Sequence, residues 1–139
     1  MTSPGNAGTP ANFGMRFGAI GAVFGFLGVA AGAFGAHAVR ASMAPTMMIA
    51  FEAAARYQLI HAVALLAVAL AVERSASRPI AVAGVLFTVG IVLFSGSLYA
   101  LSLSGQTGWG MVTPFGGLCF LAGWLCLAVG FARPGRRAA

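Results

Sequence analysis

Residues 80–103 read IAVAGVLFTVGIVLFSGSLYALSL, twenty-four positions without a charged side chain. An α-helix rises 1.5 Å per residue, so about 20 apolar residues cross the ~30 Å hydrocarbon layer of a bilayer. A membrane strand would instead show segments of about ten residues alternating apolar and polar. This run does not alternate, so it reads as a membrane helix.

Working outward, three more runs of this kind occupy Arg16–Ala36, Ala50–Val72 and Val112–Ala132. The 139-residue chain is 60% apolar and only 7% charged, whereas a soluble domain carries about 25% charged residues. Ten charges cannot dress a water-facing surface of this size, so lipid faces most of the chain. The fold class is therefore an all-α membrane protein, a four-transmembrane-helix bundle. The expected organisation is a disordered polar leader at 1–13 and a membrane domain at 14–133. Its helices lie at about 16–36, 50–72, 80–103 and 112–132, and a basic tail follows at 134–139. The turns are a short hairpin at Glu73–Pro79 and an uncharged Gly-rich segment at Ser104–Met111. The first run could serve as a signal peptide, with Arg16 as flank and Ala31-Gly32-Ala33 as cleavage site. The long polar leader and the Gly-rich run fit a packed helix better.

A net charge of +6 would suggest nucleic acid in a soluble protein. Here no basic face with interleaved aromatics exists, so no nucleic-acid partner is expected. The arginines mark membrane borders. With four crossings, Arg16, Arg74, Arg78, Arg133, Arg136 and Arg137 share one side, and Arg40 and Arg56 the other. The positive-inside rule then puts both termini in the cytoplasm. Arg74 and Arg78 read as anchors of their loop at the cytoplasmic surface rather than as residues that bind a ligand.

Gly14, Gly18, Gly21, Gly25, Gly28, Gly32 and Gly35 are spaced 4, 3, 4, 3, 4, 3, a single stripe of 3.5-residue period. Gly116, Cys119, Gly123, Cys126 and Gly130 repeat the rhythm. Each Gly costs roughly 1 kcal/mol in a helix relative to Ala, so a stripe of them implies close approach to a partner helix. That partner can be internal or a second copy, which leaves a homo-oligomer through the stripe open. Cys119 and Cys126 are about 10.5 Å apart along one helix, too far to bond each other, and read as packing residues.

Five blocks in order resemble one family: Gly32-Ala33-Phe34-Gly35-Ala36-His37, Tyr57-Gln58-Leu59-Ile60-His61-Ala62, Phe94-Ser95-Gly96-Ser97-Leu98-Tyr99, Thr113-Pro114-Phe115-Gly116-Gly117 and Gly123-Trp124. It is the uncharacterised YgdD-like inner-membrane family, known as domain of unknown function 423, to which human transmembrane protein 256 is similar. The resemblance spans about residues 14–131. It implies a bacterial inner-membrane location and four helices, and it brings no established activity.

Placed on the topology, these blocks put the unusual polar residues in the outer half of the bundle. His37 ends helix one. Glu52, Arg56, Tyr57, Gln58 and His61 open helix two. Ser95, Ser97 and Tyr99 fall late in helix three, and Thr113 opens helix four. Glu52 and Arg56 are i and i+4 with the acid first, which favours an ion pair. His61 lies on a stripe of Ala50, Ala54, Tyr57, Ala64, Val68 and Ala71, which should face other helices. An ionisable group within a span is a functional candidate by default, and His61 can change charge near neutral pH. Against this, intramembrane polar contacts often serve packing and are worth about 0.6–2 kcal/mol. His37 and His61 supply too few ligands for a metal. Ser95 or Ser97 can be drawn as a partner of His61, but such hydroxyls usually bond to carbonyls of their own helix. The chain contains no Asp, and nucleotide and metalloprotease motifs are absent. No catalytic, cofactor-binding or metal residue is assigned. The expected function is a non-catalytic accessory or structural membrane subunit. The alternative is a small transporter or an ion or proton pathway through the outer polar cluster.

Overall fold

The structure, a computed structural model, describes residues 10–132. Four helical spans are long and apolar enough to cross a membrane: Asn12–Val39, Pro45–Arg74, Arg78–Ser104 and Thr107–Ala132. Each contains one of the four apolar runs and extends a few residues beyond it. The helix of span one begins at Pro10, so residues 10–13, expected to be disordered, are helical. The rest of the leader and the basic tail lie outside the described residues.

Proline sets two of the starts. Pro45 and Pro79 sit in the first turn of their helices, after Ala44 and Ser77 in extended conformations. The missing N–H is harmless there, and the ring fixes a helical φ. Span three ends at Gly105, whose φ of +70° is the left-handed cap that only Gly adopts without a Cβ penalty. The loop between spans two and three is only Ser75–Ser77.

Two wide π turns interrupt the regular helix, at Gly35–Val39 in span one and Ile91–Ser95 in span three. Nothing in the apolar pattern pointed to either.

Span two and span three form the central pair. Span one packs along span two, and span four along span three. The most apolar window is 50% buried in span two and 44% in span three, against 17% in span one and 28% in span four. The outer spans therefore give most of their surface to lipid. The core between the central helices is apolar, with Leu65, Val68, Val72, Ile80, Ala83 and Phe87 buried.

The Gly stripes supply the lateral contacts. A Cβ built on Gly21 would lie 3.0 Å from the carbonyl oxygen of Ala62, and one on Gly28 2.9 Å from Leu59. Span two of the same chain thus occupies the stripe of span one. The stripe offered to a second copy by its spacing is already filled for most of its length. The fit is uneven, since a Cβ on Gly25 would make ordinary contact at 4.0 Å and one on Gly32 would meet nothing. In span four, Gly116 faces the Phe94 backbone, Gly123 the Phe87 ring and Gly130 the Ile80 side chain.

Candidate functional site

The first polar contact is at the turn between spans one and two. The Arg40 guanidinium donates to Glu52 Oε1 at 2.8 Å. The i,i+4 pair of Glu52 with Arg56 is not formed. Only Ala41–Ala44 separate Arg40 from span two, so the turn lays Arg40 over Glu52, and exposed Arg56 is left without an ion pair among the described residues. His37 lies in the nearby π turn and is exposed.

The second contact joins spans one and two. Buried Gln58 donates from Nε2 to the Phe24 carbonyl oxygen at 2.9 Å. The third joins spans three and four, where the Ser97 and Thr113 hydroxyls are 2.8 Å apart.

The fourth is centred on His61, which is 3% exposed. It stands sixteen residues after Pro45 and thirteen before Arg74. At 1.5 Å per residue that is about 24 Å and about 20 Å from the helix ends. His61 therefore sits mid-helix rather than near the opening, as the expected bounds 50–72, with eleven residues on either side of it, already required. The Phe120 ring stacks on the imidazole at a centroid distance of 3.5 Å and 7° between planes. Phe87 closes another side at 5.4 Å.

Both imidazole nitrogens are engaged. Trp124 donates from Nε1 to His61 Nε2 at 3.1 Å. An indole N–H is a donor only, so Nε2 must present its lone pair. Nδ1 then carries the proton and donates it to the Tyr57 carbonyl oxygen at 2.7 Å. These bonds assign one state, the neutral Nδ1–H tautomer. An imidazolium would point a second N–H at the indole N–H, and the Trp124 bond would be lost.

Ser95 and Tyr99 behave differently. Their hydroxyls are buried with no hydrogen-bond partner among the described residues, and the Tyr99 ring meets Phe51 edge-on at 5.1 Å. The ten candidate residues therefore do not form one cluster. They divide into Glu52 in an ion pair at a turn, and three ties between spans that use Gln58, His61 with the Tyr57 carbonyl, and Ser97 with Thr113. The hydroxyls of Ser95 and Tyr99 have no partner among the described residues, and exposed His37 and Arg56 stand outside all of these. Trp124 was missed as a site residue. Its signal was available, because a Trp in mid-span needs an acceptor for its N–H, and Phe120 precedes it by four positions. The Phe24 acceptor carried no signal, being a backbone carbonyl.

Four apolar spans tied by isolated polar contacts define an integral membrane protein of the helical-bundle class. The sequence profile described as protein of unknown function (DUF423) matches residues 31–117. The inner membrane protein YgdD of Escherichia coli K12 is 43% identical over 116 residues, 84% of this chain and 88% of its own length. A membrane protein of Staphylococcus haemolyticus is 38% identical over 110 residues, 79% of this chain and 89% of its own. One of Staphylococcus epidermidis is 39% identical over 110 residues, again 79% and 89%. The chain belongs to the DUF423 family. No solved structure matches it.

Proposed function

We propose that this protein is a non-catalytic accessory subunit of the bacterial inner membrane, with both termini cytoplasmic. The observation that carries the reading is the use made of its intramembrane polar groups. Gln58, His61, Trp124, Ser97 and Thr113 are each bonded between spans. A proton carrier needs a nitrogen free to gain and lose its proton, and both nitrogens of His61 are committed. An ion path needs polar groups along its length, whereas the core from Leu65 to Val72 and from Ile80 to Phe87 is apolar. The two carboxylates are Glu52, bonded to Arg40, and Glu73, some 30 Å away along the same helix. That separation supports the non-catalytic reading, because paired acid–base chemistry works within hydrogen-bond reach. The inner-membrane location is supported by the name of the Escherichia coli relative, and the orientation by the Arg distribution.

Co-purification in mild detergent tests the accessory role. A stoichiometric protein partner is the expected result. Proton or cation flux in proteoliposomes that disappears in His61→Phe would overturn the reading in favour of a transporter.

A further inference from the structure

The lipid-facing side of spans three and four carries a groove of about 420 Å³, lined by Arg78, Pro79, Val82, Leu125, Cys126 and Val129. Arg78 and Val82 are i and i+4 on span three. Leu125 and Val129 are i and i+4 on span four. Residues so spaced line up along one helix face, so the groove is a trough about one turn long between two parallel rows. Its walls are apolar, and Arg78 is its one charged group.

Arg78 is exposed and has no ion pair among the described residues. Both carboxylate side chains, Glu52 and Glu73, lie elsewhere. Glu52 is on Arg40, and Glu73 packs over Gly14 of span one. Arg78 also opens its helix, and Ser77 before it makes no side-chain cap bond. The dipole of span three therefore adds to the positive potential at the same point.

We propose that this groove binds one anionic phospholipid, with its phosphate on Arg78 and the start of an acyl chain in the trough. The guanidinium fork matches a phosphate bidentately, and the apolar rows cover the hydrocarbon just below it. A zwitterionic lipid offers the same phosphate but brings its own cation. That cation would enter a bundle end that already holds Arg16, Arg74 and Arg78, with three more arginines following Ala132 in sequence. The charge of this end therefore selects the anionic lipid. The inference concerns this end of the bundle and does not depend on the accessory role or on which leaflet the end faces.

Native mass spectrometry of the full chain tests it, with equimolar phosphatidylglycerol and phosphatidylcholine of the same acyl chains. The wild type should retain phosphatidylglycerol about fivefold over phosphatidylcholine, the ratio equivalent to ~1 kcal/mol for one Arg at an anionic lipid surface. Arg78→Gln should cut retention of both lipids and shrink the phosphatidylglycerol preference, with the remainder held by Arg16 and Arg74, while Arg40→Gln at the opposite end should leave retention and preference unchanged. Val82→Trp fills the trough with Arg78 intact and should lose retained lipid of both kinds. Equal retention by the wild type, equal effects of the two Arg variants, unchanged retention in Val82→Trp, or a lipid-free dimer seated on this face would each overturn the proposal. The wild type alone gives a second readout that no folding defect can confuse. Spin-labelled phosphatidylglycerol in liposomes should be immobilised more than the phosphatidylcholine probe, with the difference shrinking as salt rises. No difference at low salt refutes the site.

Discussion

Gly116→Ala is the most decisive single change this structure offers. The new Cβ would stand 2.7 Å from Phe94 Cα and Cβ, whereas carbon atoms pack at about 3.5–4.0 Å. The obstacle is backbone, so no rotamer change relieves it, and spans three and four must part by about 1 Å. The Ser97–Thr113 bond lies beside this contact at 2.8 Å, and the same separation would stretch it past any useful hydrogen-bond length. Overpacking costs typically ~1–3 kcal/mol, and one interhelical hydrogen bond in a membrane protein about 0.6 kcal/mol. Ala regains up to about 1 kcal/mol over Gly by helix propensity. The net expectation is a loss of about 0.6–2.6 kcal/mol, at the upper end because the clash is backbone on backbone. Gly96→Ala is the matched control, because a Cβ there meets nothing within 4 Å, and it should be neutral or stabilising by up to about 1 kcal/mol. Unfolding in mixed micelles by SDS titration measures both. If Gly116→Ala is as stable as Gly96→Ala, the close approach of these spans is wrong.

Trp124→Phe leaves His61 Nε2 without its donor and should cost about 1–2 kcal/mol; a double-mutant cycle with His61→Phe should show coupling of about 0.6 kcal/mol or more, and strict additivity would deny the bond. Gly28→Leu should destabilise the bundle far more than Gly32→Leu, since only the former meets Leu59; thermal denaturation in detergent compares them, and equal loss would show that the stripe acts as a generic Gly-rich surface. Reporter fusions at Ala139 and near Ser42 should read cytoplasmic and periplasmic respectively, and a periplasmic signal from Ala139 would reverse the orientation taken from the arginines.

The spans were legible because lipid imposes a crude requirement, a long run without charge, and four runs meet it. The stripes were legible as spacing, since every third or fourth residue returns to one face. Which helix filled them was not legible, because spacing on one helix says nothing of its neighbour. The Arg40–Glu52 pair escaped for a similar reason. A local i,i+4 rule sees Arg56 beside Glu52, but it cannot see a four-residue turn folding Arg40 onto the same acid. His61 was legible as an unusual group, and its partner was overlooked because Trp124 reads first as an apolar residue. The π turn at Ile91–Ser95 adds no polarity and shifts no charge, so a hydropathy pattern carries no trace of it.

The central pair and its two flanking helices amount to two hairpins, Pro10–Arg74 and Arg78–Ala132, joined by the three-residue loop Ser75–Ser77. Each hairpin closes its own glycine-lined seam, so each can leave the insertion machinery as a finished unit while the next is still being made. If each hairpin closes its seam first, only the docking of the two halves through the apolar core remains. The Trp124–His61 bond then acts as a latch, because it forms only when the second half arrives in register with the first.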